Sequence, residues 1–198
     1  VLKQLLYELG RGLAYRRISH GEMRTYTWWL PLALTVVAVG LYSILPVKPT
    51  LIGEKGLASS LLTIVSTLPG FYFAGLAAVA TFGNATMDQE MPSPAPEVDM
   101  RVVGRQTTVK LTRRLFLSYL FSYLVILAFG MCFSLVALNA LSGSVEALHV
   151  SIIRQTGAIW AWIAVKALVC IPLTFGFASM IVSTLHGVFF LTEKIHQP

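Results

Sequence analysis

The chain has 198 residues, 56% of them hydrophobic and only 12% charged, with a formal net charge of +6. A soluble domain of this length carries roughly a quarter charged residues, and here the missing charge is absent from long continuous blocks. Several blocks exceed the ~18 apolar residues that mark a membrane span; unpaired backbone groups are costly in hydrocarbon, so these blocks are expected to be helices, because a closed barrel would show short alternating segments instead.

Residues 1–24 read as a basic arm. Leu2, Leu5, Leu6, Leu9 and Leu13 recur at helical spacing, while Lys3, Gln4, Glu8 and Arg11 fall mainly off that stripe and Arg16 and Arg17 follow. The pattern predicts a short amphipathic helix. It lies either in the membrane interface, with basic side chains near anionic headgroups, or packed on the protein's own surface. Gly10 and Gly12 weaken it by roughly 1 kcal/mol each relative to Ala. No cleavable leader is read, because the first apolar run begins near Tyr26, after the arm, and is long enough to span.

The first predicted span is 27–45. Trp28 and Trp29 are placed as an interfacial aromatic belt, Pro31 sits in the first turn, and Pro46 and Pro49 end the segment. The second span, 57–83, is uncharged and should kink at Pro69-Gly70. The third is 113–140, with Thr107 or Thr108 as an earlier N-cap that would carry the helix beyond the bilayer. The fourth is 167–192. Val145, Leu148, Ile152, Ile159 and Ile163 keep a helical period upstream of it, which predicts an outer helical extension from about residue 145. Lys166 then falls at the membrane boundary, and Pro172 is a candidate bend. The expected fold is all-α: a polytopic membrane protein with a bundle of about four transmembrane helices across 25–198 and an N-terminal amphipathic helix.

The basic residues set the expected orientation. Lys3, Arg11, Arg16, Arg17, Arg24, Arg101, Arg105, Lys110, Arg113, Arg114 and Lys194 fall on one side, against Lys48, Lys55, Arg154 and Lys166 on the other. The positive-inside rule puts both termini and the loop 84–112 in the cytoplasm. That loop holds Asp88, Glu90, Glu97 and Asp99 around Pro92, Pro94 and Pro96, followed by a basic half. It reads as an extended proline-rich segment and then a helix start with membrane-facing charge. Asp88, Glu90, Glu97, Asp99, Arg101 and Arg105 are the candidate partner-binding residues.

No nucleotide-binding, metalloprotease or serine-hydrolase motif is present, and no span contains Asp or Glu. Cys132 and Cys170 read as small buried hydrophobes, and neither has zinc-site spacing. His186 shares a helix face with Ser179 and Ser183, but no third group is seen to orient a base. No enzymatic activity, metal or cofactor is therefore expected. The positive signal is packing: small residues recur at three- and four-residue spacing in Gly75 and Gly83, Ser118 and Ser122, Gly130 and Ser134, and Gly176, Ser179, Ser183 and Gly187. Such stripes let membrane helices approach closely. They support a bundle and, beyond it, a homo-oligomer. The leading expectation is a non-enzymatic oligomeric subunit that contacts membrane lipids and presents its arm and loop to a cytosolic protein partner, with no direct nucleic-acid binding. The alternative is a small oligomeric channel lined by Ser and Thr faces.

The basic arm before Trp28-Trp29, the proline-rich then basic loop from Pro92 to Arg114, and the cytosolic ends together span the whole chain. In these features the plan resembles the four-span membrane subunit of the bacterial phage-defence pair Kiwa. The resemblance implies a homo-oligomer in the bacterial inner membrane that recruits a cytosolic DNA-binding partner and responds to membrane perturbation by infecting phage.

Overall fold

The computed structural model describes residues 10–18, 23–53, 55–81, 83, 85–91, 95–102, 105–156 and 159–194. The leucines of the arm up to Leu9, and Pro92 and Pro94 of the loop, lie outside them. Four helical segments are long and apolar enough to cross a membrane: Thr25–Ile44, Leu57–Thr81, Arg113–Ala140 and Ile159–Glu193. The protein is an all-α polytopic membrane bundle; its first three spans agree closely with those read from hydropathy, while the fourth helix begins at Ile159, ahead of the expected residue 167.

The first span opens with a π-helical turn, Thr25–Trp29, and continues as α1, Leu30–Ile44. Pro31 accounts for the wide turn. Its ring crowds the carbonyl four residues back and it has no N–H to offer, so the preceding turn relaxes to the five-residue spacing, with the Leu30 N–H donating to the Thr25 carbonyl. The second span is two helices, α2 (Leu57–Val65) and α3 (Leu68–Thr81), broken at Ser66–Thr67. Pro69 cannot continue the ladder, and the freed carbonyls of Thr63 and Ile64 accept from the hydroxyls of Ser66 and Thr67 at 3.0 and 2.9 Å. The interruption falls at Ser66–Thr67, just before the Pro69 where a kink was expected.

Helix α4, Arg113–Ala140, starts at Thr112, whose side chain accepts from the Leu115 N–H at 3.2 Å. This corrects the earlier N-cap expected at Thr107 or Thr108, both of which lie in a β-strand. The short α5, Ser142–Thr156, follows on the far side, and α6, Ile159–Phe189, runs through Pro172 to a second π turn at Phe190–Lys194.

Helix α4 is the core. In its most apolar window 39% of residues are buried, against 17% for the first span, which marks α1 as the periphery. Phe116, Leu117, Leu120, Leu124, Ala128 and Leu135 line its inner face. Helices α2 and α3 pack on one flank of α4 and α6 on another, while α1 packs on α6. Polar ties cross the bundle between described residues: the Tyr123 and Ser179 hydroxyls meet at 2.8 Å, and those of Tyr72 and Thr184 at 2.8 Å. At ~1.5 Å per residue α4 is about 42 Å long and α6 about 46 Å, so both exceed a hydrocarbon core of roughly 30 Å. Around the N-terminal turns of α4, the arm and the loop are packed.

The arm from Arg11 to Arg17 is a 3₁₀ helix lying against α4. Its three-residue turn aligns Gly12, Tyr15 and Ile18, all buried, and leaves Leu13 46% exposed. The α-helical stripe that included Leu13 is therefore replaced here by a 3₁₀ phase. The stretch Arg11–Arg17 packs on α4.

Candidate partner-binding interface

The segment from Glu97 to Lys110 alternates along its length, Val98, Met100 and Val102 against Glu97, Asp99 and Arg101, and continues through the β-branched Thr107, Thr108 and Val109. Period-two alternation with β-branched residues suits a half-buried strand pair. Strands β1 (Glu97–Val102) and β2 (Arg105–Lys110) form an antiparallel hairpin, with Glu97 opposite Lys110, Val98 opposite Val109 and Asp99 opposite Thr108. The loop expected as extended proline-rich chain and helix start is thus a folded unit.

The hairpin is stitched to the base of α4. The Met91 N–H donates to the Leu111 carbonyl at 3.1 Å, the Leu111 N–H to Pro96 at 2.9 Å, and the Arg113 N–H to Gln89 at 3.3 Å. Val98, Leu111 and Met87 supply a buried underside at 3%, 0% and 2% exposure. Arg11 of the arm donates to the Asp99 carbonyl at 3.0 Å and also bonds the Tyr119 hydroxyl, with its guanidinium over the Tyr119 ring. Arm, hairpin and α4 therefore form one block.

Of the candidate partner-binding residues, Asp88 has an internal task. Its carboxylate takes two hydrogen bonds from Arg114, at 2.7 and 3.1 Å, and the same guanidinium donates to the Val79 carbonyl at 3.0 Å. Arg114 thus closes the C-terminal end of α3, where unpaired carbonyls favour a cation, and ties the short 3₁₀ turn Ala85–Asp88 to it. The Arg114 hydrogen bonds hold the Asp88 carboxyl below the usual carboxylate range. Glu90 pairs with Lys110 at 3.9 Å, both groups well exposed, a geometry that contributes little. Glu97 and Asp99 are exposed on the outer face of the hairpin, where Thr108 donates to the Asp99 carboxylate at 2.9 Å. The register puts Arg101 opposite Gln106 and Arg105 opposite Val102, at the far end of the hairpin.

The Asp88–Arg114 clamp yields a pH test. A carboxyl whose pKa is lowered on folding stabilises above its unfolded value and loses that contribution only as pH falls through the folded one. Amide exchange across 85–91 is expected to stay slow at pH 5 and to quicken only below about 4, the ordinary carboxylate range. Arg114→Gln should quicken it several-fold at pH 5, where Asp88 is ionised, and by less below about 4, and an unchanged exchange rate in that variant at pH 5 would show the clamp to be idle.

The small-residue stripes divide into two groups. A Cβ at Gly75 would lie 2.6 Å from the Phe121 ring, one at Gly176 3.0 Å from the Met131 sulfur and one at Gly187 2.7 Å from Leu120, while Ser179 and Ser183 are each 1% exposed. At Gly83 and Gly130, expected on the same kind of stripe, an added Cβ meets no atom within 4 Å among the described residues. The His186 ring lies against Tyr26, at 4.5 Å between centroids, and against Phe116. Thr63, Ser66 and Thr67, the other short polar row, each donate back to their own helix. Among the described residues no group of three or more His, Cys, Asp or Glu is placed to hold a metal ion.

The sequence reading missed the hairpin, the Arg114 clamp and the role of Tyr15. Strand alternation was the available signal for the first; the other two depend on long-range packing that leaves no local pattern. No protein-family model, curated protein or solved structure matches the chain.

Proposed function

We propose that this chain is a non-catalytic, multi-pass subunit of the bacterial inner membrane, with both termini cytoplasmic, that assembles with copies of itself and recruits a cytosolic protein through its hairpin. The observation that carries this reading is the hairpin itself. It has a buried apolar underside and an outer face bearing Glu97, Asp99 and Lys110, and it is fastened to the end of the central helix. A rigid, charged, preorganised surface loses little entropy on docking and sets which partner is accepted. The outward Gly130 and Ser134 of α4 support self-assembly, since small residues on an exposed helix face allow a second helix to approach. The resemblance to the Kiwa membrane subunit supplies the setting: recruitment of a cytosolic DNA-binding partner in response to phage-induced perturbation of the membrane.

The test reverses Glu97 and Asp99 to Lys and leaves Asp88 to hold Arg114. Gentle detergent extraction at matched membrane level should recover the cytosolic partner with the wild-type chain and lose it, by at least about tenfold, with the double variant, since a rejected charge pair costs more than 1.4 kcal/mol. Equal recovery would overturn the hairpin as the docking surface. A reporter fused after Lys194 should read cytoplasmic and one inserted near Gly143 external; the opposite pattern would overturn the orientation.

A further inference from the structure

At the N-terminal end of the first span an arginine is held among aromatic rings. The guanidinium carbon of Arg16 lies 4.0 Å from the centroid of the Trp28 ring and 5.4 Å from that of Phe175, and the two rings themselves meet at 6.0 Å. Its Nε and Nη2 are shielded from solvent and bond no acceptor among the described residues. These two atoms form the side of the planar guanidinium that pairs with two oxygens of a carboxylate or phosphate at once. Cation–π contact offsets part of the cost of withdrawing the charge from water, but does not satisfy these donors.

Trp28 and Phe175 are shared. Besides touching Arg16, they line, with Arg24, Trp29 and Leu32, an open groove of about 590 Å³. The groove therefore has a cation at its rim, Arg24, and a second cation behind rings that form its wall. Among the described residues no acidic side chain lines it. Its remaining surface is aromatic and aliphatic. Trp28 and Trp29 are 49% and 62% exposed at the start of a span, the position of an interfacial aromatic belt. The π turn Thr25–Trp29 widens the helix at this point and sets both indoles outward, and such turns recur where a helix shapes a binding site.

We infer that this groove binds one anionic phospholipid. Its phosphodiester sits at Arg24 within the field of Arg16, and its acyl chains lie along Trp29, Leu32 and Phe175. The phosphate supplies the counter-charge that the described residues do not offer to Arg16, and the apolar wall takes the chains. A zwitterionic lipid carries its own cation into a site that already holds two, and is disfavoured.

Quenching of indole fluorescence by lipids with brominated acyl chains tests this directly. In a Trp160→Phe/Trp162→Phe background only Trp28 and Trp29 report, since the chain has 4 tryptophans. In nanodiscs of mixed composition, brominated phosphatidylglycerol should half-quench at a mole fraction roughly 25-fold below that needed with brominated phosphatidylcholine, each of the two basic groups near an anionic headgroup accounting for about fivefold. Arg16→Gln and Arg24→Gln should each lower that preference severalfold. Arg24 is exposed, so its variant keeps the test decisive even where loss of Arg16 disturbs folding. Equal quenching by the two lipids, or a preference unchanged in Arg24→Gln, would overturn the proposal. Excess inorganic phosphate should not displace the lipid; displacement would overturn the lipid as ligand and assign the site to free phosphate.

Discussion

Gly187→Leu and Gly75→Leu are expected to destabilise the bundle by about 3 kcal/mol or more each, at the upper end of overpacking penalties. A Cβ alone at Gly187 would come within 2.7 Å of Leu120, and at Gly75 within 2.6 Å of the Phe121 ring. Both contacts are with the central helix α4, whose Leu120 is itself fully buried, so three further carbons have nowhere to go without parting the helices. In the membrane there is no hydrophobic drive to hold helices together, and close contact is what binds them. Gly130→Leu is the matched control. With no atom within 4 Å of its Cβ, it should leave thermal unfolding in mild detergent unchanged within about 0.5 kcal/mol, as for an exposed surface position, while reducing the particle size of an oligomer built on that face. Unchanged stability in Gly187→Leu would show that Leu120 yields and that the α4–α6 seam is not closely packed.

The four spans were legible because hydrocarbon imposes a single rule, satisfied backbone and continuous apolar length, that is written along the chain itself. Span 113–140 matches Arg113–Ala140 residue for residue. The hairpin was less legible. Glu97–Val102 alternates clearly, but it sits between prolines and a cluster of arginines, and composition outweighed periodicity. The candidate acids were legible as charges but not as partners. That Asp88 is bound to Arg114 while Glu97 and Asp99 point outward depends on where Val79 and the end of α3 fall, which no local spacing records. The arm shows the same limit in another form. Leu9 and Leu13 suggested one helical phase, yet the described stretch adopts a three-residue turn because Tyr15 finds a deep aromatic site on α4.

That site carries the second large effect. Tyr15 is 1% exposed, stacked on Tyr123 with centroids 5.3 Å apart and tilted against Phe116 at 6.0 Å. Truncating a large buried aromatic removes both its transfer free energy and its packing, which together cost about 3–5 kcal/mol. Tyr15→Ala is therefore expected to release the arm from α4. Because Arg11 joins the arm to the Asp99 carbonyl and to Tyr119, the hairpin should loosen with it. The readout is faster amide exchange in both 11–18 and 97–102, with the spans unaffected. The phenol group behaves differently from the ring. Its hydroxyl is buried without a hydrogen-bond partner, and burial, reinforced by the neighbouring Tyr123, pushes its pKa above the usual tyrosine range, so it stays neutral through any physiological pH. An unpaired buried hydroxyl is a cost rather than an anchor. Tyr15→Phe should then be neutral or stabilising by up to about 1 kcal/mol, with arm and hairpin exchanging as slowly as in the wild type. A Tyr15→Phe variant as loose as Tyr15→Ala would mean that the hydroxyl, not the stacked ring, holds the arm. A Tyr15→Ala variant with unchanged exchange would mean that the arm is held elsewhere, and would remove the aromatic site on α4 as the link between the arm and the hairpin.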